Sequence, residues 1–155
     1  MHNAARADYL IVVHPPFLQE AQRLAQFHLQ KNNLQTVVVT TEQVYNEFSS
    51  GTPDPVAIRD FVKMFYDRSF TNGTPPKYLL LFGDGSYDNK NIRSGNGNFL
   101  PTFQSQNSLS PINSYVTDDF FGLLDDNEGL CGNSEKIDLG VGRFNCRSLD
   151  EARLF

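Results

Sequence analysis

Three short apolar runs constrain this chain more than anything else in it. They are Tyr9-Leu-Ile-Val-Val13, Val37-Val-Val39 within the stretch Leu34 to Thr40, and Tyr78-Leu-Leu-Leu-Phe82. None alternates with polar residues, as a strand with one wet face would. Such runs suit strands of a parallel sheet that is covered on both faces. The intervening stretches have the helical period instead. Phe17, Leu18, Ala21, Leu24, Ala25, His28 and Leu29 recur at helical spacing over residues 17–32, and Asn32-Asn33 closes that helix. Thr41 to Phe48 reads as a short helix with Thr41 as its N-cap. A longer helix runs from about Pro55 to Ser69, with Val56, Ile58, Phe61, Val62, Phe65 and Tyr66 on its apolar side. The order β-α-β-α-α-β predicts an α/β fold. Its mainly parallel sheet is flanked by helices in three layers and joined by right-handed crossovers.

Composition supports a folded domain and excludes some partners. The chain has 155 residues, 39% of them hydrophobic, with 13 Phe, 6 Tyr and no Trp. Its net charge of −5 argues against nucleic acid, which needs a basic footprint to displace phosphate counterions. No apolar run is long enough to span a membrane as a helix, and the start, Met1-His2-Asn3-Ala4-Ala5, has no signal-peptide core. Residues 1–7 read as a tail or linker, and 8–155 as one α/β unit. The end, Ser148 to Phe155, reads as the first turns of an amphipathic helix, so a fragment of a longer protein is expected.

In a parallel sheet the ligand side lies beyond the carboxyl ends of the strands. Those ends carry His14, Thr40-Thr41 and Gly83-Asp84-Gly85. Asp84 is a candidate metal or catalytic carboxylate, weighed against a turn-capping role. The glycines around it form neither a phosphate loop nor a dinucleotide fingerprint. Residues 85–114 are rich in Gly, Asn, Ser and Pro, long for a loop in a compact domain, and suggest a segment that covers a site or a partner. Ser114 to Leu124 reads as a strand or hairpin arm, Asp125 to Gly129 as a turn, and Ile137 to Phe144 as a last strand whose glycines imply close approach of another backbone.

Asp118 and Asp119 are candidate calcium ligands, since hard cations take several oxygens. Either aspartate could instead pair with Arg143. Asp125-Asp126-Asn127-Glu128 lacks the EF-hand spacing and reads as a solvated turn. Cys131 and Cys146 provide no zinc set. A disulfide between them is open if the protein is exported, with two free thiols, Cys146 half-buried, the favoured alternative. His2 falls in the tail, His28 on the apolar side of the first helix, and His14 at a strand end with no partner in sequence. The residues assemble no complete catalytic set.

Three pieces in order carry a resemblance. They are Tyr78-Leu-Leu-Leu-Phe-Gly-Asp84, Thr117-Asp-Asp-Phe-Phe-Gly122, and Val141-Gly-Arg-Phe-Asn-Cys146 followed by Ser148-Leu-Asp-Glu-Ala152. Together they resemble the gingipain-type cysteine peptidases, from about residue 8 to 155, and look most like the sortase-like branch belonging to the type IX secretion machinery of Bacteroidetes. The resemblance implies a caspase-like fold of two side-by-side α/β subdomains, of which this chain matches the first, flavodoxin-like one. It implies that the catalytic His, in a Gly-His-Gly setting, and the catalytic Cys both lie in the second, so that no catalytic residue carries over and Cys146 is not the nucleophile. The expectation is a non-catalytic subdomain, inactive alone. Its parent would be an exported endopeptidase at the outer membrane or cell surface of a Gram-negative bacterium, and would remove C-terminal sorting signals from cargo.

The implied partners are the second subdomain, the secretion machinery and cargo C-terminal domains. No cofactor is required, and calcium is possible. An exposed face left by a missing half could also produce a homodimer. The rival expectation is a non-enzymatic α/β binding module with a ligand or calcium site at the strand ends.

Overall fold

The computed structural model describes residues 6–90, 92, 97–106, 109–132 and 134–155. His2 and most of the 1–7 tail lie outside them, as do several residues of the 85–114 segment. Four parallel strands form one sheet in the order β2-β1-β3-β6: β1 is Tyr9–Val13, β2 Thr36–Thr40, β3 Tyr78–Phe82 and β6 Gly140–Phe144. The helices are α1 (Leu18–Asn32), α2 (Thr41–Phe48), α3 (Pro55–Asn72) and α4 (Leu149–Ala152). A two-residue ribbon pairs β4 (Phe103–Gln104) with β5 (Val116–Thr117), antiparallel and apart from the main sheet. The three-layer α/β expectation is thus met. Among the described residues, no helix is long and apolar enough to cross a membrane.

Local chemistry sets the element ends. Asn33 stands in the left-handed region at φ 53° and closes α1. α2 is capped by Thr40, not Thr41. The Thr40 hydroxyl accepts from the Gln43 N–H while the Gln43 side chain accepts from the Thr40 N–H, a capping box, and Thr41 is the first helical residue. Asp54 caps α3 by accepting from the Val56 N–H at 2.8 Å, with Pro55 pre-set in the first turn. That helix runs past Ser69 to Asn72, where Gly73 at φ 92° ends it.

The strands bury both faces, and alternate residues sort into two cores. Leu10, Val12, Leu79 and Leu81 join Ile58, Phe61, Val62 and Phe65 of α3, Val44 and Tyr45 of α2, and Phe121 and Leu124 beyond. Ile11, Val13, Leu80 and Phe82 pack with Phe17, Ala21, Cys146 and Ala152 on the α1 side. Fully burying a large apolar side chain contributes about 1.5–3 kcal/mol, so the Phe61, Phe82 and Phe121 positions anchor the fold. Some sequence expectations fail at this level. Val56 and Leu29, placed on apolar helix faces, are largely exposed, and His28 is only half-buried. The arm expected at Ser114 to Leu124 is a strand for two residues only. It then tightens into a 3₁₀ turn, Asp119–Gly122, which drives Phe120 and Phe121 into the core.

Candidate functional site

The carboxyl ends of the strands are held together by backbone first. Gly83 adopts φ 145°, where a Cβ would meet Leu100 Cδ1 at 2.7 Å. Glycine is thus required where β3 turns out of the sheet. The Asp84 N–H then donates to the Cys146 carbonyl at 3.1 Å, and the Asp84 carbonyl accepts from the Phe99 and Leu100 N–H groups at 3.1 and 3.0 Å. Asp84 is therefore a buried junction between β3, the end of β6 and the long segment after it. Its carboxylate accepts from Nε of the exposed Arg147.

A second junction lies on the α2–α3 side. Arg143, its side chain only 8% exposed, grips Asp118 with both ends of its fork: Nε to Oδ2 at 2.8 Å and Nη2 to Oδ1 at 2.7 Å. The same guanidinium donates to the carbonyls of Gly83, Leu100 and Pro101 at 3.2 to 3.3 Å. A planar fork is what such bidentate pairing needs, and lysine could not supply it. Gly85 makes room, since a Cβ there would stand 2.7 Å from Arg143 Nη1. The pairing anticipated between Arg143 and one of the two aspartates is realised by Asp118. Asp119 is exposed at the start of the 3₁₀ turn, its N–H donating to Thr117 Oγ1. The three candidate aspartates are not brought together. Among the described residues, no three His, Cys, Asp or Glu side chains converge as a metal set, and Asp84 and Asp118 both spend their carboxylates on arginines.

Histidine and thiol chemistry is equally undirected. His14 stacks on Phe99 at 4.2 Å and meets Phe17 edge-on, and burial lowers its pKa against a weaker opposing pull from Glu42. His28 Nδ1 accepts from the Asn32 side-chain amide N–H at 2.9 Å, and its ring packs against Tyr9. Both cysteines are free. Cys146, expected half-buried, is fully buried, and burial pushes its thiol up to about 11. Cys131 is also raised, by burial and then by Glu135 and Asp119. A nucleophilic cysteine needs the opposite shift. Sequence reasoning missed Arg147 as the partner of Asp84, and residues so distant in the chain carry no signal of the pair.

The class defined by this geometry is a parallel α/β unit whose strand ends are braced by arginine–carboxylate pairs. The chain belongs to peptidase family C25, the gingipain-type peptidases, whose profile it matches over residues 2–155. Among solved structures it is similar to dimeric latent PorU from Porphyromonas gingivalis, at 45% identity and a TM-score of 0.83, over 96% of this chain and 15% of that one. It is also similar in fold to the complex of Porphyromonas gingivalis RgpB pro- and mature domains (21% identity, TM-score 0.64, 94% of this chain, 26% of that one). A chain described only as a protease matches at 15% identity and a TM-score of 0.63, over 97% of this chain and 26% of that one. No curated protein matches. The chain thus spans under a third of each of these solved chains.

Proposed function

We propose that this chain is the first, non-catalytic subdomain of a cysteine endopeptidase that removes C-terminal sorting signals from cargo of a type IX secretion system. The observation that carries this reading is the 45% identity to PorU across nearly all of this chain but only 15% of that one. The site agrees with a bracing role. Among the described residues no hydrogen bond joins a cysteine to a histidine, and burial raises the pKa of both thiols, away from the thiolate that attacks. In the parent, a Cys–His pair in the remaining polypeptide would cleave the peptide bond through a thioester. The Arg143–Asp118 and Asp84–Arg147 pairs would fix the strand ends that support it. The parent would be exported to the outer membrane or cell surface. There it would meet secretion-machinery proteins and cargo C-terminal domains, and this subdomain taken alone could pair with a second copy through its uncovered sheet face. The test is an assay of the purified 155-residue chain against sorting-signal peptides. No thiol-dependent cleavage is expected. Cleavage abolished by Cys131→Ala or Cys146→Ala would overturn the reading.

A further inference from the structure

The sheet ends at β2, and nothing blunts that end. β2 has a strand neighbour on one side only, β1, while α1 and α2 pack on its faces. The Gln35 carbonyl accepts from the Tyr9 N–H, so Gln35, Val37 and Val39 turn their backbone groups towards β1. Thr36, Val38 and Thr40 turn theirs outward. The Thr40 N–H agrees, since it is bonded to the Gln43 side chain at 2.9 Å and not to β1. Among the described residues, nothing takes up the outward N–H and carbonyl of Thr36 or Val38. Natural edges are commonly protected by a lysine, a proline or a bulge. Thr36-Val-Val-Val-Thr40 carries none of these, and Val37 and Val38 are only partly buried.

Two observations say what fits this edge. The first is that the strand reads the same in both directions. Antiparallel pairing about a twofold axis at Val38 sets Thr36 opposite Thr40 and Val37 opposite Val39, so β-branched residues meet β-branched residues along its whole length. Val38 then exchanges both backbone bonds with the partner's Val38, and the Thr36 N–H reaches the partner's Thr40 carbonyl. The second is that the surface beside the edge is free of charge. A groove of about 280 Å³ there is lined by Gln22, Ala25, Gln26, Leu29, Gln35 and Thr36. Glu20 and Arg23 of the same helix are turned instead to Arg153. A twofold axis lays a patch against its own copy, where any net charge repels itself. This patch carries none, in a chain with 20% charged residues.

We propose that the β2 edge is a self-association surface. Two copies of this chain join their β2 strands antiparallel about Val38, and the sheet continues from one copy into the other. Gln22, Gln26 and Leu29 of the two α1 helices flank the joint. This contact is distinct from the uncovered sheet face along β6, and it does not depend on the peptidase reading.

The test combines sedimentation velocity with hydrogen exchange on the 155-residue chain. A dimer that grows with concentration through the micromolar range is expected. Thr36→Lys sets an edge charge against its own copy, and should weaken the association roughly tenfold or more. Its Tm at low concentration should stay within about 2 °C of the parent chain, because the bonds to β1 are untouched. In the unsubstituted chain, amide protection at residues 36–40 should rise with concentration while that at 140–144 does not. This readout stands even if the lysine variant fails to fold. A chain that stays monomeric, a dimer that survives Thr36→Lys, or protection that rises at 140–144 and not at 36–40, overturns the proposal.

Discussion

The two faces of the sheet are made by the same strands and finished differently. On the α2–α3 side, Ile58, Phe61, Phe121 and Leu124 are fully excluded from water, and the 3₁₀ turn adds a lid of aromatic rings. On the α1 side the core is smaller, Phe144 and Tyr9 are only partly buried, and a cleft runs along β6. The two central strands, β1 and β3, cannot tell these faces apart, because both of their rows of residues are apolar. What differs is the material laid over them. Two-sided burial of a strand is therefore a statement about the strand's needs, not about which neighbour meets them.

Mutations should expose that asymmetry, the largest effect first. Phe61→Ala on the closed face should cost about 3–5 kcal/mol in chemical denaturation, the usual loss for emptying a packed aromatic site. Arg143→Ala on the same side strands Asp118 and three carbonyls, and should cost about 3 kcal/mol, with the segment after Asp84 becoming protease-sensitive. Phe144→Ala on the open face should cost less, about 1–2 kcal/mol, since that ring is only partly buried. A loss matching that of Phe61→Ala would mean the open face is as tightly built as the closed one.

His14 gives a smaller, pH-dependent effect. Burial lowers its pKa below the ordinary 6.5, so the folded state favours the neutral ring. Between that value and its lowered folded pKa, the unfolded chain binds more protons. Its contribution is therefore full above about 6.5 and is lost as the pH falls through the folded value. Tm measured across pH 4 to 8 should show the loss, and His14→Phe should flatten that part of the profile. Calcium stands last. Titration with the ion is expected to leave Tm unchanged. A clear rise removed by Asp84→Asn or Asp118→Asn would revive the binding-module reading.

Much of the fold was legible because its signals are local. The apolar runs placed β1 and β3, and the helical spacing around Ala21 and Phe61 placed α1 and α3. The cap of α2 was misread at Thr41, although Thr40 stands three residues before Gln43, the spacing of a capping box. The 3₁₀ turn at Asp119–Gly122 was not, because Phe120-Phe121 suits a strand as well as a tight turn, and only the cavity between α3 and β6 decides. In the site, Arg143 with Asp118 could be anticipated as a complementary pair. Asp84 with Arg147 could not, since their meeting depends on β6 lying beside β3. Val56 and Leu29 were misplaced because helical spacing fixes a stripe but not its width.

The order β2-β1-β3-β6 also sets a timetable. β1 and β2 are joined by one helix, so their pairing closes a short loop. β3 and β6 pair only after the chain has wandered through the whole of residues 83–139. Contacts between distant residues form slowly, because loop-closure entropy is lost before any contact offsets it. β1 and β2 therefore form the early platform, and β3 and β6 both join late, since each pairs across more than 60 residues. Refolding followed at Phe144 should lag refolding followed at Tyr45. The arginine that clamps the strand ends travels on that late strand, so the 85–114 segment gains its final anchor only in the closing step.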